Sequence, residues 1–261
     1  MVSVTVRRRR VLDLVFGGAA VTTLAVGAWR FLNGDRAPSP EARLRARVLA
    51  VRVLEDDGDS RLLALETAQG TLEARHFPTP GARRGAVWLP GATREWRTPA
   101  RGLYPRLAGE LRAEGMASLW VRYRDPASLD ESVLDAAAAV AYLESEGAEV
   151  MALTGHSFGG AVAIQAAAAS PSARVVVALA TQAAGTGAVG RLGPRCALLL
   201  IHGEADRVLR PINAAEVYRA AAEPKELLRY PNAGHTLDEV AGDVADAVRR
   251  WILEYTRPTT R

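Results

Sequence analysis

A short run in the middle of the chain limits the fold more than any other feature. Residues 150–154 suit a buried strand, Gly-His-Ser-Phe-Gly follows at 155–159, and an alanine-rich helix-forming run spans 161–169. This places a Gly-x-Ser-x-Gly pattern between a strand and a helix. Glycine is needed in such a turn because a side chain would collide with the closely packed strand and helix. The pattern therefore predicts a tight turn that holds the Ser157 hydroxyl clear of a sheet, at a helix N-terminus that favours negative charge.

Strand and helix patterns alternate through the rest of the body. Apolar strand candidates lie at 86–89, 117–122, 150–154, 174–180, 197–201 and 226–230, and helix candidates at 104–114, 129–146, 161–169, 211–222 and 237–255. Short apolar strands between helices predict a mostly parallel sheet covered by helices on both faces. Before them, 45–54, 61–67 and 71–77 predict a hairpin and a third strand at an antiparallel edge. The fold class is α/β, with no internal repeat and no second domain.

The acidic turn of that hairpin has two interpretations. Asp56, Asp57 and Asp59 resemble the start of a calcium loop, but the downstream glutamate that such a loop requires is missing. We therefore expect a solvated turn and no metal site.

Composition and charge exclude some classes of protein. The 261 residues are 49% hydrophobic and 24% charged, which is typical of a globular chain with an ample core. The net charge of +4 is confined to residues 1–40, which hold six arginines and two aspartates, so the remainder carries 27 basic and 27 acidic residues. A neutral body gives no electrostatic basis for binding nucleic acid. Cys196 is the only cysteine and lies in an apolar run, which excludes an intramolecular disulfide and favours a buried hydrophobe over a nucleophile.

The N-terminal forty residues have the pattern of an export signal or a membrane anchor. Four arginines at 7–10 precede an apolar run that continues to Ala28, and 33–40 is rich in the residues of a linker. The arginines also resemble a twin-arginine export signal, and Val26-Gly-Ala28 offers a cleavage site. A docked amphipathic helix is the alternative, but the run lacks a polar face. We expect residues 1–40 to provide the only membrane contact and to place a single domain, 41–261, on the non-cytoplasmic side, whether the segment is a cleaved signal or an uncleaved anchor.

A serine at such a turn needs a base, and the chain offers four histidines. His76 precedes the core strands, and His156 is the variable residue of the turn and is expected to face away from the Ser157 hydroxyl. His202 ends a strand and is a credible structural histidine. Only His235 follows a strand end on a glycine-containing loop, so it is the predicted base.

The base in turn needs an acid that orients it. Residues 181–195 contain no Asp or Glu, so the loop after the next strand must supply the acid. That loop offers Glu204 and Asp206, either of which could instead cap the helix that follows. We prefer Asp206 because it lies further from the strand end, where its carboxylate can reach an imidazole.

The order Ser157, Asp206, His235 is similar to that of the α/β-hydrolase superfamily, and the chain resembles its small dienelactone-hydrolase-like and prolyl-oligopeptidase-like members. The resemblance covers residues 86–255 and rests on Gly-His-Ser-Phe-Gly-Gly at 155–160, His-Gly-Glu-Ala-Asp at 202–206 and Gly-His at 234–235. It implies an oxyanion hole formed by the backbone amides of Phe158 and of a residue in the loop at 89–93. Many relatives have His-Gly in that loop, whereas this chain has Pro90-Gly91, so we assign the second amide to Ala92.

These features predict a serine hydrolase that cleaves a carboxylic ester of a small to medium substrate through an acyl-enzyme, without a metal or cofactor. The short 181–195 connection predicts little or no lid, and Trp96 is a candidate wall of the substrate pocket. A peptidase or acyltransferase with the same triad, or a non-catalytic binding member of the fold, remains an alternative. The oligomeric state is not predicted.

Overall fold

The computed structural model describes residues 47–257, so the predicted signal or anchor and its linker lie outside the described residues. Within this range, nine strands form one sheet in the order β1-β2-β3-β5-β4-β6-β7-β8-β9. Their bounds are β1 Val48–Asp56, β2 Arg61–Thr67, β3 Gly70–Phe77, β4 Arg84–Leu89, β5 Met116–Arg122, β6 Val150–His156, β7 Ala173–Leu179, β8 Ala197–Gly203 and β9 Lys225–Tyr230.

The sheet has a parallel part and an antiparallel edge, as the sequence predicts. Strands β5, β4, β6, β7, β8 and β9 are parallel to their neighbours in that series. Strands β1, β2 and β3 pair antiparallel with one another, and β3 pairs antiparallel with β5. The carboxyl ends of the parallel strands therefore meet at one edge of the sheet, where ligand sites of such folds lie.

Helices cover both faces because the parallel strands are apolar on both sides. Strand β7 shows this directly: Val175 and Val177 belong to the core on one face, and Val176 to the core on the other. The first core lies under α1 and α5, and the second lies under α2, α3 and α4. The helix bounds are α1 Leu103–Ala113, α2 Leu129–Ser145, α3 Phe158–Ala169, α4 Ile212–Ala220 and α5 Ala241–Tyr255.

Two helices begin three or more residues away from their predicted starts. Helix α3 starts at Phe158 instead of residue 161, because the turn at Ser157 leads directly into it. The predicted helix 237–255 is interrupted: Leu237 has a φ of 58°, a short 3-10 helix covers Asp238–Val240, and α5 begins only at Ala241. A left-handed residue cannot continue an α-helix, so the loop after β9 is longer than the sequence pattern indicated.

The connection between β7 and β8 contains a single 3-10 helix, Gly187–Arg191, in which Ala188 and Val189 are fully buried. It packs against α3 and α4. In the part of the chain that the structure describes, no helix combines the length and apolar character needed to span a bilayer.

The acidic hairpin turn uses its carboxylates to fix its own backbone. Asp57 accepts hydrogen bonds from the Ser60 amide at 2.6 Å and the Asp59 amide at 3.1 Å, and Asp56 accepts one from the Gly58 amide at 2.9 Å. This is the arrangement of an Asx-type turn, in which short acidic side chains replace backbone partners.

Candidate active site

The turn after β6 holds Ser157 in a strained conformation that the neighbouring glycines make accessible. Ser157 has φ 57° and ψ −118° and is the residue immediately before α3. A Cβ on Gly155 would overlap the Gly159 carbonyl, and one on Gly159 would overlap the Pro90 carbonyl. Only glycine fits at these positions, so the close approach of β6, α3 and the loop after β4 explains the sequence pattern.

The loops after β8 and β9 bring the candidate acid and base into contact. His235 Nδ1 lies 2.8 Å from Asp206 Oδ2, and Asp206 is only 5% exposed. The second carboxylate oxygen of Asp206 accepts hydrogen bonds from the amides of Val208 at 2.8 Å and Leu209 at 2.9 Å. Burial raises the pKa of Asp206, but hydrogen bonds from His202, His235 and the Leu209 amide outweigh it and hold that pKa well below its usual range.

These contacts determine which ring nitrogen of His235 carries the proton. An ionised carboxylate only accepts hydrogen bonds, so His235 Nδ1 must donate to Asp206. In the neutral ring, Nε2 then has a free lone pair. This is the tautomer that a general base toward a serine hydroxyl requires.

A second histidine contacts the same carboxylate, although its place in the sequence suggested only a structural role. His202 is fully buried, with Nε2 3.2 Å from Asp206 Oδ2 and 3.0 Å from the Leu209 carbonyl oxygen. Both partners are acceptors, so Nε2 carries the proton. The spacing of His202 and Asp206, four residues apart across a strand end, was visible in the sequence and could have indicated the contact.

The loop after β9 also reaches the serine turn, through a residue whose role the sequence did not indicate. His156 Nε2 donates to the His235 carbonyl oxygen at 2.9 Å, and the two rings lie 4.8 Å apart. Burial lowers the pKa of His156 to about 4, so the ring is neutral at neutral pH. His156, the residue before Ser157, thus connects the serine turn to the loop that carries His235.

Two further contacts anchor this loop on its other side. The Thr236 carbonyl accepts a hydrogen bond from the Ala100 amide at 2.7 Å, and Asp238 accepts one from the Arg101 amide at 2.9 Å. A Cβ on Gly203 would overlap the Ala233 carbonyl, so the end of β8 also packs directly on the loop. The position of His235 is therefore set by three parts of the chain.

Ser157 and His235 are brought to the same edge but are not hydrogen-bonded to each other in the structure of residues 47–257. Contacts of this kind are often long in unliganded sites and shorten when substrate binds. The role of each residue of the candidate triad stays a prediction from sequence that the geometry supports.

The two amides assigned to the oxyanion hole lie in segments next to Ser157. Phe158 is the first residue of α3, so its amide belongs to the first helical turn, where amides have no partner within the helix. A Cβ on Gly91 would be 3.7 Å from the Ser157 Cβ, which places the loop after β4 beside the serine. Tyr104 fixes the start of that loop by donating to the Leu89 carbonyl oxygen at 2.8 Å. Ala92, the predicted second donor, is exposed.

Trp96 packs against the antiparallel side of the sheet. Its ring meets Trp120 edge-to-face at 5.1 Å, and the guanidinium groups of Arg122 and Arg75 lie 5.6 and 6.0 Å from its centroid. These partners belong to β5 and β3, whereas Ser157, Asp206 and His235 follow β6, β8 and β9. Its predicted contact with substrate remains a prediction.

Two clefts open near the parallel strands, and neither is lined by a residue of the candidate triad. One of about 420 Å³ lies beyond the end of β5 and includes Tyr123, whose ring contacts Phe158 edge-to-face at 5.9 Å. Its lining residues are Thr71, Glu73, Arg94, Arg122, Tyr123 and Arg124. The other, of about 530 Å³, lies over β9 and α5, away from Ser157.

Comparison with solved structures confirms the α/β-hydrolase fold. A lidless α/β serine hydrolase from Xanthomonas campestris is 21% identical, with a TM-score of 0.61 over 79% of this chain and 99% of its own. Dienelactone hydrolase from Anabaena variabilis is 19% identical, with a TM-score of 0.62 over 76% and 100%. Acetyl xylan esterase from Paenibacillus sp. R4 is 16% identical, with a TM-score of 0.64 over 88% and 99%.

Family membership is shown by sequence. No curated protein matches the chain. The family model of the dienelactone hydrolase family, however, matches residues 100–250, which is more than half of the sequence and includes Ser157, Asp206 and His235. The chain is therefore a hydrolase that belongs to the dienelactone hydrolase family.

Proposed function

We propose that this protein is a serine hydrolase that cleaves a carboxylic ester of a small to medium substrate through an acyl-enzyme. The observation that carries the proposal is the 2.8 Å hydrogen bond between His235 and the buried Asp206, beside the strained turn of Ser157. A serine hydroxyl is a weak nucleophile until a base takes its proton, and an oriented imidazole is such a base.

The first half of the reaction acylates the serine. His235 Nε2 takes the Ser157 proton as Oγ attacks the ester carbonyl, and the imidazolium is stabilised by the Asp206 carboxylate. The same nitrogen then gives its proton to the leaving alcohol as the carbon–oxygen bond breaks. Because hydrogen bonds already keep Asp206 ionised, the negative charge is in place before the imidazole becomes positive.

The second half returns the enzyme to its starting state. A water molecule loses a proton to His235 Nε2, attacks the acyl carbon, and the proton returns to Ser157 Oγ as the acid leaves. In both halves the carbonyl oxygen carries negative charge, which the amides of Phe158 and Ala92 are assigned to stabilise. A well-aligned donor of this kind contributes about 3–4 kcal/mol to transition-state binding.

The surroundings of the serine favour a modest, soluble substrate. The β7–β8 connection packs against α3 and α4, with its only helical turn buried in the body. The solved relative from Xanthomonas campestris is itself described as lidless. An open site is accessible to water, which favours hydrolysis over transfer of the acyl group to a second substrate.

The test is hydrolysis of a series of nitrophenyl esters from acetate to decanoate, set against aminoacyl nitroanilides of similar size. We expect turnover of the short esters, with kcat/KM falling as the acyl chain lengthens, and little cleavage of the anilides. Ser157→Ala and His235→Ala should each lower kcat by about 10⁴-fold or more. Glu204→Gln is the matched control, because Glu204 is the acidic neighbour that the sequence offered as the alternative to Asp206. This variant should retain activity.

Two results would contradict this proposal. A loss of less than tenfold in His235→Ala would place the base elsewhere. Preferential cleavage of the anilides would indicate a peptidase with the same residues. Circular dichroism of each variant should match the wild type, so that a loss of activity is not a loss of fold.

We also propose, from the sequence of residues 1–40 alone, that the protein is exported or anchored with its catalytic body on the non-cytoplasmic side. N-terminal sequencing of the protein purified from its native membrane and soluble fractions tests this. A new N-terminus after Ala28 indicates a cleaved signal, and an intact N-terminus in the membrane fraction indicates an anchor. An intact N-terminus on a cytoplasmic protein contradicts both.

A further inference from the structure

The side chain of His156 contacts two loops of the candidate site at once. Its Nε2 donates to the His235 carbonyl oxygen at 2.9 Å. A Cβ on Gly91 would lie 3.6 Å from its Nδ1, so the same ring also packs beside the loop after β4. His156 is the chain neighbour of Ser157, the candidate nucleophile. One imidazole therefore connects the turn of the nucleophile with the loop of the base and with the loop assigned to the oxyanion hole.

The base lies on a connection that depends on such contacts for its position. Residues 231–237, between β9 and the short 3-10 helix, contain no helix or strand. Loops of this kind move more readily than the elements they connect. The 2.8 Å contact with Asp206 fixes one edge of the His235 ring but leaves the backbone of His235 to other partners. Proton transfer needs the ring nitrogen within hydrogen-bond reach of the hydroxyl, so the backbone position of the base matters to catalysis.

The hydrogen bond from His156 fixes that backbone relative to the nucleophile itself. Other backbone amides also bind the loop after β9, and they belong to segments that do not contain the serine: Ala100, Arg101 and Ala205. His156 instead moves with Ser157, because the two are adjacent and their turn has no room to rearrange. A Cβ on Gly155 or Gly159 would overlap neighbouring backbone there. The distance from base to nucleophile is therefore set most directly by His156.

The imidazole of His156 suits this task because it donates a hydrogen bond without carrying a charge. Burial lowers its pKa to about 4, and the charged or titratable groups that act on it are His235, Asp206 and Asp238. The rings of His156 and His235 lie 4.8 Å apart. A lysine or arginine in its place would put a permanent positive charge beside the imidazolium that forms on His235, and like charges so close together oppose protonation. A neutral donor holds the loop without opposing the proton transfer.

We propose that His156 is a positioning residue for the reaction: its hydrogen bond to the His235 carbonyl holds the base at proton-transfer distance from Ser157. The inference rests on the proposed function, since a base has to be positioned only if Ser157 is a nucleophile. In this role His156 acts through His235 and does not itself touch the reacting atoms. Because the contact holds a catalytic group and not the substrate, its loss should lower kcat and leave KM nearly unchanged.

Two amide substitutions separate the hydrogen bond from the polarity of the residue. The side-chain nitrogen of glutamine can occupy the place of imidazole Nε2, whereas that of asparagine lies one carbon nearer to the backbone, at the place of Nδ1. His156→Gln should therefore keep the contact with the His235 carbonyl, and His156→Asn should lose it. For nitrophenyl acetate we expect His156→Asn to lower kcat by about 30-fold with KM within about twofold, and His156→Gln to retain at least about a third of the wild-type kcat.

Hydrogen exchange, followed by mass spectrometry, measures the contact independently of activity. Peptides that cover residues 231–240 should exchange their amide hydrogens faster in His156→Asn than in the wild type, and at the wild-type rate in His156→Gln. Peptides from β6 and β7 should exchange alike in all three proteins, because their ladder hydrogen bonds do not involve the side chain of residue 156.

Three results would overturn the proposal. If His156→Gln loses as much kcat as His156→Asn, the hydrogen bond is not what matters. If the loop exchanges faster in His156→Asn while kcat stays at the wild-type value, the contact does not position the base. If exchange is faster throughout the asparagine variant, His156 supports the fold as a whole. Failure of the proposed function is distinct from all three, because the wild type itself would then neither hydrolyse the esters nor be labelled at Ser157 by a fluorophosphonate.

Discussion

The parallel part of the sheet and its antiparallel edge differ in where the loops between their strands lie. Parallel strands β4, β6, β8 and β9 all finish at one edge, so the loops that follow them deliver Gly91, Ser157, Asp206 and His235 to a common place. Antiparallel strands β1, β2 and β3 release successive loops at opposite edges and cannot collect groups in this way. The direction of the strands, before any choice of side chain, therefore decides which part of this molecule can hold a site.

The two parts also differ in what holds them together. In the parallel part the strand ends approach so closely that Gly155, Gly159 and Gly160 have no room for a Cβ. At the antiparallel edge Leu65 and Leu72 also meet in the core, but other cross-strand contacts are exposed ion pairs, such as Arg52 with Glu66 at 2.8 Å. Substitutions at such exposed positions should therefore be tolerated better than an added side chain at the glycines next to the site. This contrast can be tested by substitutions on each side.

The largest stability effect is expected from a methyl group added at Gly160. Its Cβ would overlap the side chain of Thr181, which itself donates to the Ser157 carbonyl at 3.3 Å. Gly160→Ala should lower the free energy of unfolding by about 3 kcal/mol, as overpacking of a dense core does. Gly109→Ala, in α1 with open space around it, should be neutral or stabilising. Urea unfolding measures both, and similar values for the two would refute the packing contrast.

A smaller loss of unfolding free energy, about 2 kcal/mol, is expected at low pH from a buried histidine at the antiparallel edge. His76 on β3 is 3% exposed, and burial lowers its pKa to about 4 from an ordinary 6.5. The unfolded chain therefore binds a proton more readily than the folded one between these values. The contribution of His76 to the free energy of unfolding is therefore complete above pH 6.5 and is lost as the pH falls toward 4.

Unfolding at pH 7 and pH 4.5 should show this loss in the wild type and a smaller loss in His76→Asn, which cannot titrate. Equal losses in the two proteins would mean that His76 is not the titrating group. The Tyr142 hydroxyl that contacts His76 at 3.1 Å carries no charge to offset an imidazolium.

Replacing His202 should lower kcat by about tenfold, or 1.4 kcal/mol, and should have a smaller effect on the stability of the fold. Its Nε2 is one of the donors that hold the Asp206 carboxylate. His202→Leu removes that donor, whereas His202→Gln retains an N–H at a similar distance. The acidic limb of the kcat profile should move in the leucine variant and stay in the glutamine variant. An identical profile in all three proteins would make His202 a packing residue only.

The smallest effect belongs to the exposed ion pair at the edge. Arg52 and Glu66 are 63% and 32% exposed, so water screens their attraction. Glu66→Gln should leave the midpoint of urea unfolding almost unchanged, and salt should make the two proteins indistinguishable. A loss of stability as large as that of Gly160→Ala would show that the antiparallel edge is as tightly constrained as the parallel part.

The sequence predicted those features that depend on local pattern. The glycines around Ser157, the apolar strands and the position of His235 after a strand end were all recognisable, and from them the fold class and the order of the candidate site followed. The 3-10 interruption before α5 was missed, because the left-handed conformation of Leu237 has no glycine to indicate it.

The contacts that tie the site together were harder to predict. His156 bonds to the backbone of a loop 79 residues away, which depends on the path that this loop takes after β9. The spacing of His202 and Asp206 was a signal for their contact, but the sharp turn after Gly203 that brings the two side chains together was not visible in it. Pairings of this kind follow from tertiary packing, whereas sequence patterns reflect the periodicity and turns of single segments.

The central claim, that Ser157 is a nucleophile activated from the loops after β8 and β9, is tested most directly by covalent labelling. A fluorophosphonate forms a stable adduct only with an activated serine, and mass spectrometry of the intact protein and its peptides locates it. We predict one label per chain, on the peptide containing Ser157, with no label in Ser157→Ala and much slower labelling in His235→Ala. A wild-type protein that stays unlabelled, or a label on any other residue, would contradict the account.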